Sequence, residues 1–224
     1  MQITSDIFQI GGTGERGALS DPADASIYLI KDGKQSAIVD SGCGGGTERV
    51  LENMKACGVE ESDIAYIFLT HCHFDHTGGA NALRKATAAK IVAHEKDAVF
   101  ITSGDKNVTG AEWYGGHIAP TPVDIVVSGN KKEFRLDKLS VTMHHIPGHS
   151  PGSVVFTLLS DGLFVLFGQD VHGPIGEIIL HSNRSEYQKS LEFLLTLGAD
   201  ILCEGHFGIY HGKEKVRKFI KSFL

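Results

Sequence analysis

Ile64-Ala65-Tyr66-Ile67-Phe68-Leu69 is a short, nearly all-apolar run, which suits a strand covered on both faces. Just past its end, His71-Cys72-His73-Phe74-Asp75-His76 places three imidazoles and a carboxylate in six residues. The spacing is not helical, because positions i and i+2 point to different sides of a helix. In an extended turn His71 and His73 face one side, while Asp75 and His76 reach a second point and Cys72 points away. Imidazole and carboxylate are the usual ligands of zinc and of other borderline divalent metals. Thr77-Gly78-Gly79 follows, and two glycines permit a close backbone approach. Packing offers no reason for such a cluster, so the fold must open a strand end onto a metal site.

Six residues cannot complete two coordination spheres, and three further candidates stand at predicted strand ends. His149 lies in the turn-rich Pro147-Gly148-His149-Ser150-Pro151-Gly152. Asp170 follows the apolar run over residues 163–167, and His206 follows Ile201-Leu202 in Glu204-Gly205-His206-Phe207-Gly208. Open α/β sheets gather their site residues at such positions.

The rest of the pattern reads as strands near residues 26–30, 36–39, 90–93, 123–127, 139–146, 153–159, 163–167 and 201–202. Helices are expected from Thr47, as cap, to Gly58, from Asn81, over 95–101, over 185–197 and from Gly212. The polar stretch 103–120 is the longest candidate loop, and Trp113, Tyr114 and His117 within it could wall a pocket. His172, His181 and Arg184 could line its mouth. His144 and His145 alternate on a strand, so at most one faces a given side. Strands followed by helices, twice over, imply two similar α/β halves with their sheets packed together and helices outside. No low-complexity linker interrupts the chain, so residues 1–224 read as one domain.

Composition narrows the function. With 21 Lys and Arg against 27 Asp and Glu, the net charge is −6 and no basic run occurs, which disfavours a nucleic-acid partner. No stretch approaches ~18 consecutive apolar residues, and the N-terminus lacks signal-peptide character, so the expectation is a cytoplasmic protein without a membrane partner. Four scattered cysteines, none in Cys-x-x-Cys spacing, fit neither a disulfide framework nor a thiolate metal site.

The H-x-H-x-D-H pattern at His71, His73, Asp75 and His76, with His149, Asp170 and His206 downstream, resembles the metallo-β-lactamase superfamily over most of the chain. The resemblance implies a four-layer αββα sandwich with a dinuclear site at one edge of the sheets. It implies that His71, His73 and His149 hold one metal, that Asp75, His76 and His206 hold the other, that Asp170 bridges them and that Asp40 supports the site from behind. The flavodiiron branch typically has Glu where His73 stands, and the glyoxalase II branch carries a helical extension, whereas only 18 residues follow His206. Neither branch's specific role is therefore inherited.

The expected function is hydrolysis of a small ester, thioester, lactone or amide by a hydroxide bridging two divalent ions, zinc first, with iron or manganese possible. Asp75 would ligate and also orient the hydroxide or take its proton. The alternative is a mononuclear non-haem iron oxygenase resembling the persulfide dioxygenase branch, using His71, His149 and Asp170. The partner is a small-molecule substrate, and self-association stays open.

Overall fold

The computed structural model describes residues 1–14 and 17–224. Its first strands are β1 (Ile7–Gly11), β2 (Thr13–Gly14), β3 (Gly17–Ala18), β4 (Ile27–Ile30), β5 (Ser36–Val39), β6 (Ile64–Phe68), β7 (Lys90–His94) and β8 (Ile125–Val127). The later ones are β9 (Lys131–Arg135), β10 (Ser140–His145), β11 (Val154–Ser160), β12 (Leu163–Gln169), β13 (Ile201–Glu204) and β14 (Ile209–His211). Helices are α1 (Thr47–Ala56), α2 (Phe74–Thr77), α3 (Ala80–Thr87), α4 (Glu95–Ser103), α5 (Arg184–Leu197) and α6 (Lys213–Lys221).

One sheet has the order β1-β4-β5-β6-β7-β8, the other β14-β13-β12-β11-β10-β9, and β2 with β3 forms a small separate ribbon. The pairs β5/β6, β6/β7, β7/β8 and β12/β13 are parallel, so several strand ends share one edge of the two sheets. Val39, Phe68, Val92, Phe156, Phe167 and Cys203 belong to the core between the sheets. The outer face of the first sheet packs Ile38, Ile67 and Ile91 on Val50, Met54, Leu83 and Ile101 of the helices. The outer face of the second packs Val155 and Leu202 on Leu191, Leu194, Val216 and Ile220. The result is the αββα sandwich. Strands buried on both faces need apolar residues at every position, which is why β5, β6 and β12 read as near-continuous apolar runs. Phe68, fully buried, lies 4.8 Å from the Phe156 ring across the sheets. Its truncation to Ala would cost about 3–5 kcal/mol.

Several elements depart from the sequence expectation. Strands β1, β2, β3, β9 and β14 were not anticipated. β9 and β14 are the edges of the second sheet, and β9 buries only Phe134 among five residues, so it shows no apolar alternation; its charges are what an edge strand needs to discourage further pairing. The α1 cap is Gly46 rather than Thr47, whose hydroxyl instead donates to the Gly44 carbonyl. The ligand segment is not extended throughout, because Asp75 and His76 lie in the single turn α2 with His73 as its N-cap. Among the described residues no helix is long and apolar enough to cross a membrane.

Candidate metal centre

Strand β6 delivers His71 to the shared sheet edge, and the turn after it curls because Gly78 and Gly79 touch backbone. A Cβ at Gly79 would collide with the Ser41 carbonyl oxygen. His149 comes from the β10–β11 loop, Asp170 from the end of β12 and His206 from just past β13. These side chains meet as two groups, His71, His73, His149 and Asp170 in one and Asp75, His76 and His206 in the other. Cys72, by contrast, is buried in the apolar layer beneath the first sheet.

In the first group His149 Nε2 lies 3.2 Å from His71 Nε2 and 2.9 Å from His73 Nδ1. In the second, His206 Nε2 lies 3.2 Å from Asp75 Oδ2, and His76 Nε2 lies 3.8 Å from the same oxygen. Asp170 stands between the groups. Its Oδ2 is 3.3 Å from His149 Nε2 and 3.9 Å from His71 Nε2, while Oδ1 is 3.0 Å from His76 Nε2 and 3.3 Å from His206 Nε2.

Outer hydrogen bonds assign the tautomers. His149 Nδ1 donates to the Pro174 carbonyl at 2.8 Å, leaving Nε2 as a lone pair. The Thr70 hydroxyl donates to Asp40, so its oxygen accepts from His71 Nδ1 at 3.0 Å and His71 Nε2 is also a lone pair. His76 Nδ1 donates to Asp40 Oδ2 at 2.8 Å. The Nε2 lone pairs of His71 and His149 therefore face each other and the Asp170 carboxylate, and that of His76 faces Asp170 and Asp75, an arrangement that a cation or a proton relieves. His76 Nε2 and Asp170 Oδ1 are buried without a hydrogen-bond partner. The donor set thus fits divalent metal ions.

The electrostatics agree. Burial, helped by His149, holds His73 down to about 3, and burial with the neighbouring imidazoles holds His71 well below the usual histidine range. Burial also opposes the charged form of His76, but Asp170, Asp75 and Asp40 outweigh it and hold His76 well above that range. His206, likewise opposed by burial, is pushed up to about 10 by the Asp170 and Asp75 carboxylates 3.3 and 3.2 Å from its Nε2. Burial would raise Asp170, yet the neighbouring His76 outweighs it and keeps Asp170 well below the carboxylate norm. The second group attracts positive charge, and the first keeps its imidazoles neutral for ligation.

Two further carboxylates, neither assigned a role from the sequence, organise the surroundings. Asp97, fully buried in the first turn of α4, accepts from Cys72 N at 2.9 Å, Ser150 Oγ at 2.5 Å and Gly152 N at 2.6 Å. It ties the His71–His73 loop to the His149 loop. Glu204, also buried, accepts from the His206 and Phe207 backbone at 2.7 and 2.8 Å and pairs with His172 Nδ1 at 2.8 Å. No spacing signal marks either residue.

A cavity of about 200 Å³ opens above Asp75 and Asp170, walled by Trp113, Tyr114, His172, Pro174 and Leu180. Trp113 and Tyr114 are 59 % and 45 % exposed, so they wall the cavity rather than cap the core. Burial and the adjacent Asp75 carboxylate push the Tyr114 phenol up, so it stays protonated. His172 lines the cavity as its position suggested, whereas His117, His181 and Arg184 do not. His181 packs on Phe100. His145 stacks on His94 at 3.8 Å, and His144 bonds Thr157 instead.

The family model described as the metallo-beta-lactamase superfamily matches residues 20–206. The "Probable metallo-hydrolase YybB" of Bacillus subtilis is 29 % identical over 185 residues, covering 80 % of this chain and 79 % of the relative. The "Acyl-coenzyme A thioesterase MBLAC2" of Gallus gallus is 26 % identical over 229 residues, covering 89 % and 78 %. MEM-A1, a subclass B3 metallo-beta-lactamase isolated from a soil metagenome library, superposes with a TM-score of 0.79 at 19 % identity, over 99 % of this chain and 91 % of that one. The motif, the sandwich and the paired ligand groups agree with these likenesses, and the chain belongs to the metallo-beta-lactamase superfamily.

Proposed function

We propose that residues 1–224 act as one domain that hydrolyses a small ester, thioester, lactone or amide with two divalent metal ions, zinc first. The observation that carries this reading is Asp170, which turns Oδ2 to His71 and His149 and Oδ1 to His76 and His206. When bound, two such ions supply a nucleophilic water near neutral pH and polarise the scissile carbonyl.

The chain's own residues do the rest. His71, His73 and His149 would hold one ion and Asp75, His76 and His206 the other, with Asp170 shared. Asp75, buried at the cavity floor with Oδ2 on His206, is placed to orient the attacking water and take its proton. The protonated Tyr114 phenol lines the same cavity and is placed to donate a hydrogen bond to a bound substrate. In the reaction the water oxygen joins the carbonyl carbon, the C–O, C–S or C–N bond breaks, and the proton passes to the leaving group. The relative named as an acyl-coenzyme A thioesterase supports a thioester within this range. A second group, Asp75, His76 and His206, is assembled beside the first, which favours hydrolysis over a mononuclear iron oxygenase that would use His71, His149 and Asp170 alone.

Metal content per chain by plasma mass spectrometry tests the proposal. Two equivalents, falling towards one in His76→Ala, with esterase or thioesterase activity lost on chelation and regained with zinc or manganese, is the expected result. One equivalent of iron unchanged in His76→Ala, with oxygen uptake on a persulfide, would overturn it.

A further inference from the structure

A second cavity, of about 380 Å³, adjoins the first and shares Gly110 and Trp113 with it. Val108, Ile178 and Ile179 form its apolar walls. Ile178 is 91 % exposed and Ile179 48 %, so with Trp113 three large apolar side chains stand in water beside the metal centre. Apolar surface gathered in this way marks binding sites. The junction lies at Gly110, where φ is +67 and an added Cβ would fall 3.4 Å from Trp113 and 3.8 Å from the cavity-lining Leu180. Gly110 and Trp113 thus form the border common to the two cavities.

Among the described residues neither cavity is lined by Lys or Arg. The polar groups on the second are Asn107, His181, which packs on Phe100, and two carboxylates already engaged, Glu112 by Lys106 at 2.6 Å and Asp105 by the backbone of Asn107 and Val108. A negatively charged tail would find no lysine or arginine among the lining residues and would have to compete with Glu112 for Lys106. An uncharged apolar tail would cover Trp113, Ile178 and Ile179.

We infer that this groove binds the uncharged alkyl or aryl chain of the substrate's acyl group while the scissile carbonyl sits at the metal centre. The inference rests on the hydrolase reading and names its substrate class, esters or thioesters of apolar acids longer than the metal cavity alone can hold. Each methylene that enters the groove should raise affinity by about twofold to fourfold, the upper figure corresponding to full burial.

Trp113 is the single tryptophan of the chain, so its fluorescence reports on the groove directly. The test titrates the purified full-length protein with 1-butanol, 1-hexanol, 1-octanol and 1-decanol, which have no scissile bond. The expected result is a blue shift of Trp113 emission, with affinity rising along the series and falling at least tenfold for 1-decanol in Ile178→Asp. That side chain is so exposed that the substitution leaves the fold intact, which circular dichroism checks. Unchanged emission with 1-decanol, or a chain-length dependence that survives Ile178→Asp, would overturn the inference. So would a shift that tracks protein concentration without alcohol, since the patch would then join copies of the chain. Because alcohols bind without being cleaved, a failure of hydrolysis with this series intact would count against the catalytic reading alone.

Discussion

Asp40 Oδ2 lies 2.8 Å from His76 Nδ1, and the same carboxylate accepts the Thr70 N–H at 2.9 Å and the Thr70 hydroxyl at 2.8 Å. Thr70 Oγ1 in turn faces His71 Nδ1. One side chain at the end of β5 thus orients an imidazole in each of the two candidate ligand groups. The backbone there is left-handed, with φ +60, a conformation that Asp tolerates better than most residues.

Asp40→Asn offers a single acceptor oxygen where two are used, and its amide N–H₂ faces donors. Metal affinity should fall about 10–100-fold, with the His76 group losing its ion first. Competition against a chelating dye measures this. An unchanged affinity would show that His76 holds its orientation without Asp40.

Asp97→Ala strands Cys72 N and Gly152 N in a buried site and leaves the Ser150 hydroxyl only Ser153 Oγ. Unsatisfied buried donors cost about 1–3 kcal/mol each. A loss of about 3 kcal/mol or more is expected, or a Tm lower by about 6–12 °C for a chain of this size. Calorimetry on the metal-free protein reads this separately from ligation, and a change below about 2 °C would show that the two loops hold together without this carboxylate.

How far the fold and the site could be read in advance follows from where each signal resides. β6 was readable because burial on both faces demands apolar residues throughout. The imidazole cluster was readable because no packing role explains it. β9 escaped because only Phe134 of that strand is buried, and α2, four residues long, is too short for any period to show. Asp97 looks like an ordinary acid in the first turn of a helix. Its use arises only when the loops at Cys72 and Ser150, distant in sequence, meet over α4. The groove beside Trp113 was equally hidden, since Ile178 and Ile179 lie in a segment without regular structure.

Gly148→Ala tests how tightly the His149 loop is seated. Gly148 has φ +135, and a Cβ there would collide with the Tyr187 backbone nitrogen and Cα in α5. Backbone strain alone costs about 1–3 kcal/mol, and the clash must also push the loop off α5, carrying His149 away from His71 and His73. The variant should therefore lose both stability and the ion of the first group, which thermal unfolding and metal content report together. Full retention of both would show that the loop can shift without moving its ligand.

The shifted histidines set opposite pH limits on the metal-free protein. His73, with a folded value of about 3 against an unfolded value near 6.5, contributes stability that is complete above pH ~6.5 and is lost as pH falls towards ~3. His71 acts in the same direction. His206 is raised to about 10 and His76 is raised as well. Their contribution is complete below pH ~6.5 and is lost as pH climbs towards ~10. Tm of the chelated protein should therefore peak near pH 6.5 and decline on both sides, as calorimetry from about pH 5 to about pH 9.5 would measure. Metal ions replace the protons on His76 and His206, so saturating zinc should remove the alkaline decline. A Tm that is flat or rising above pH 6.5 in the chelated protein would mean that His76 and His206 hold no proton between their carboxylates.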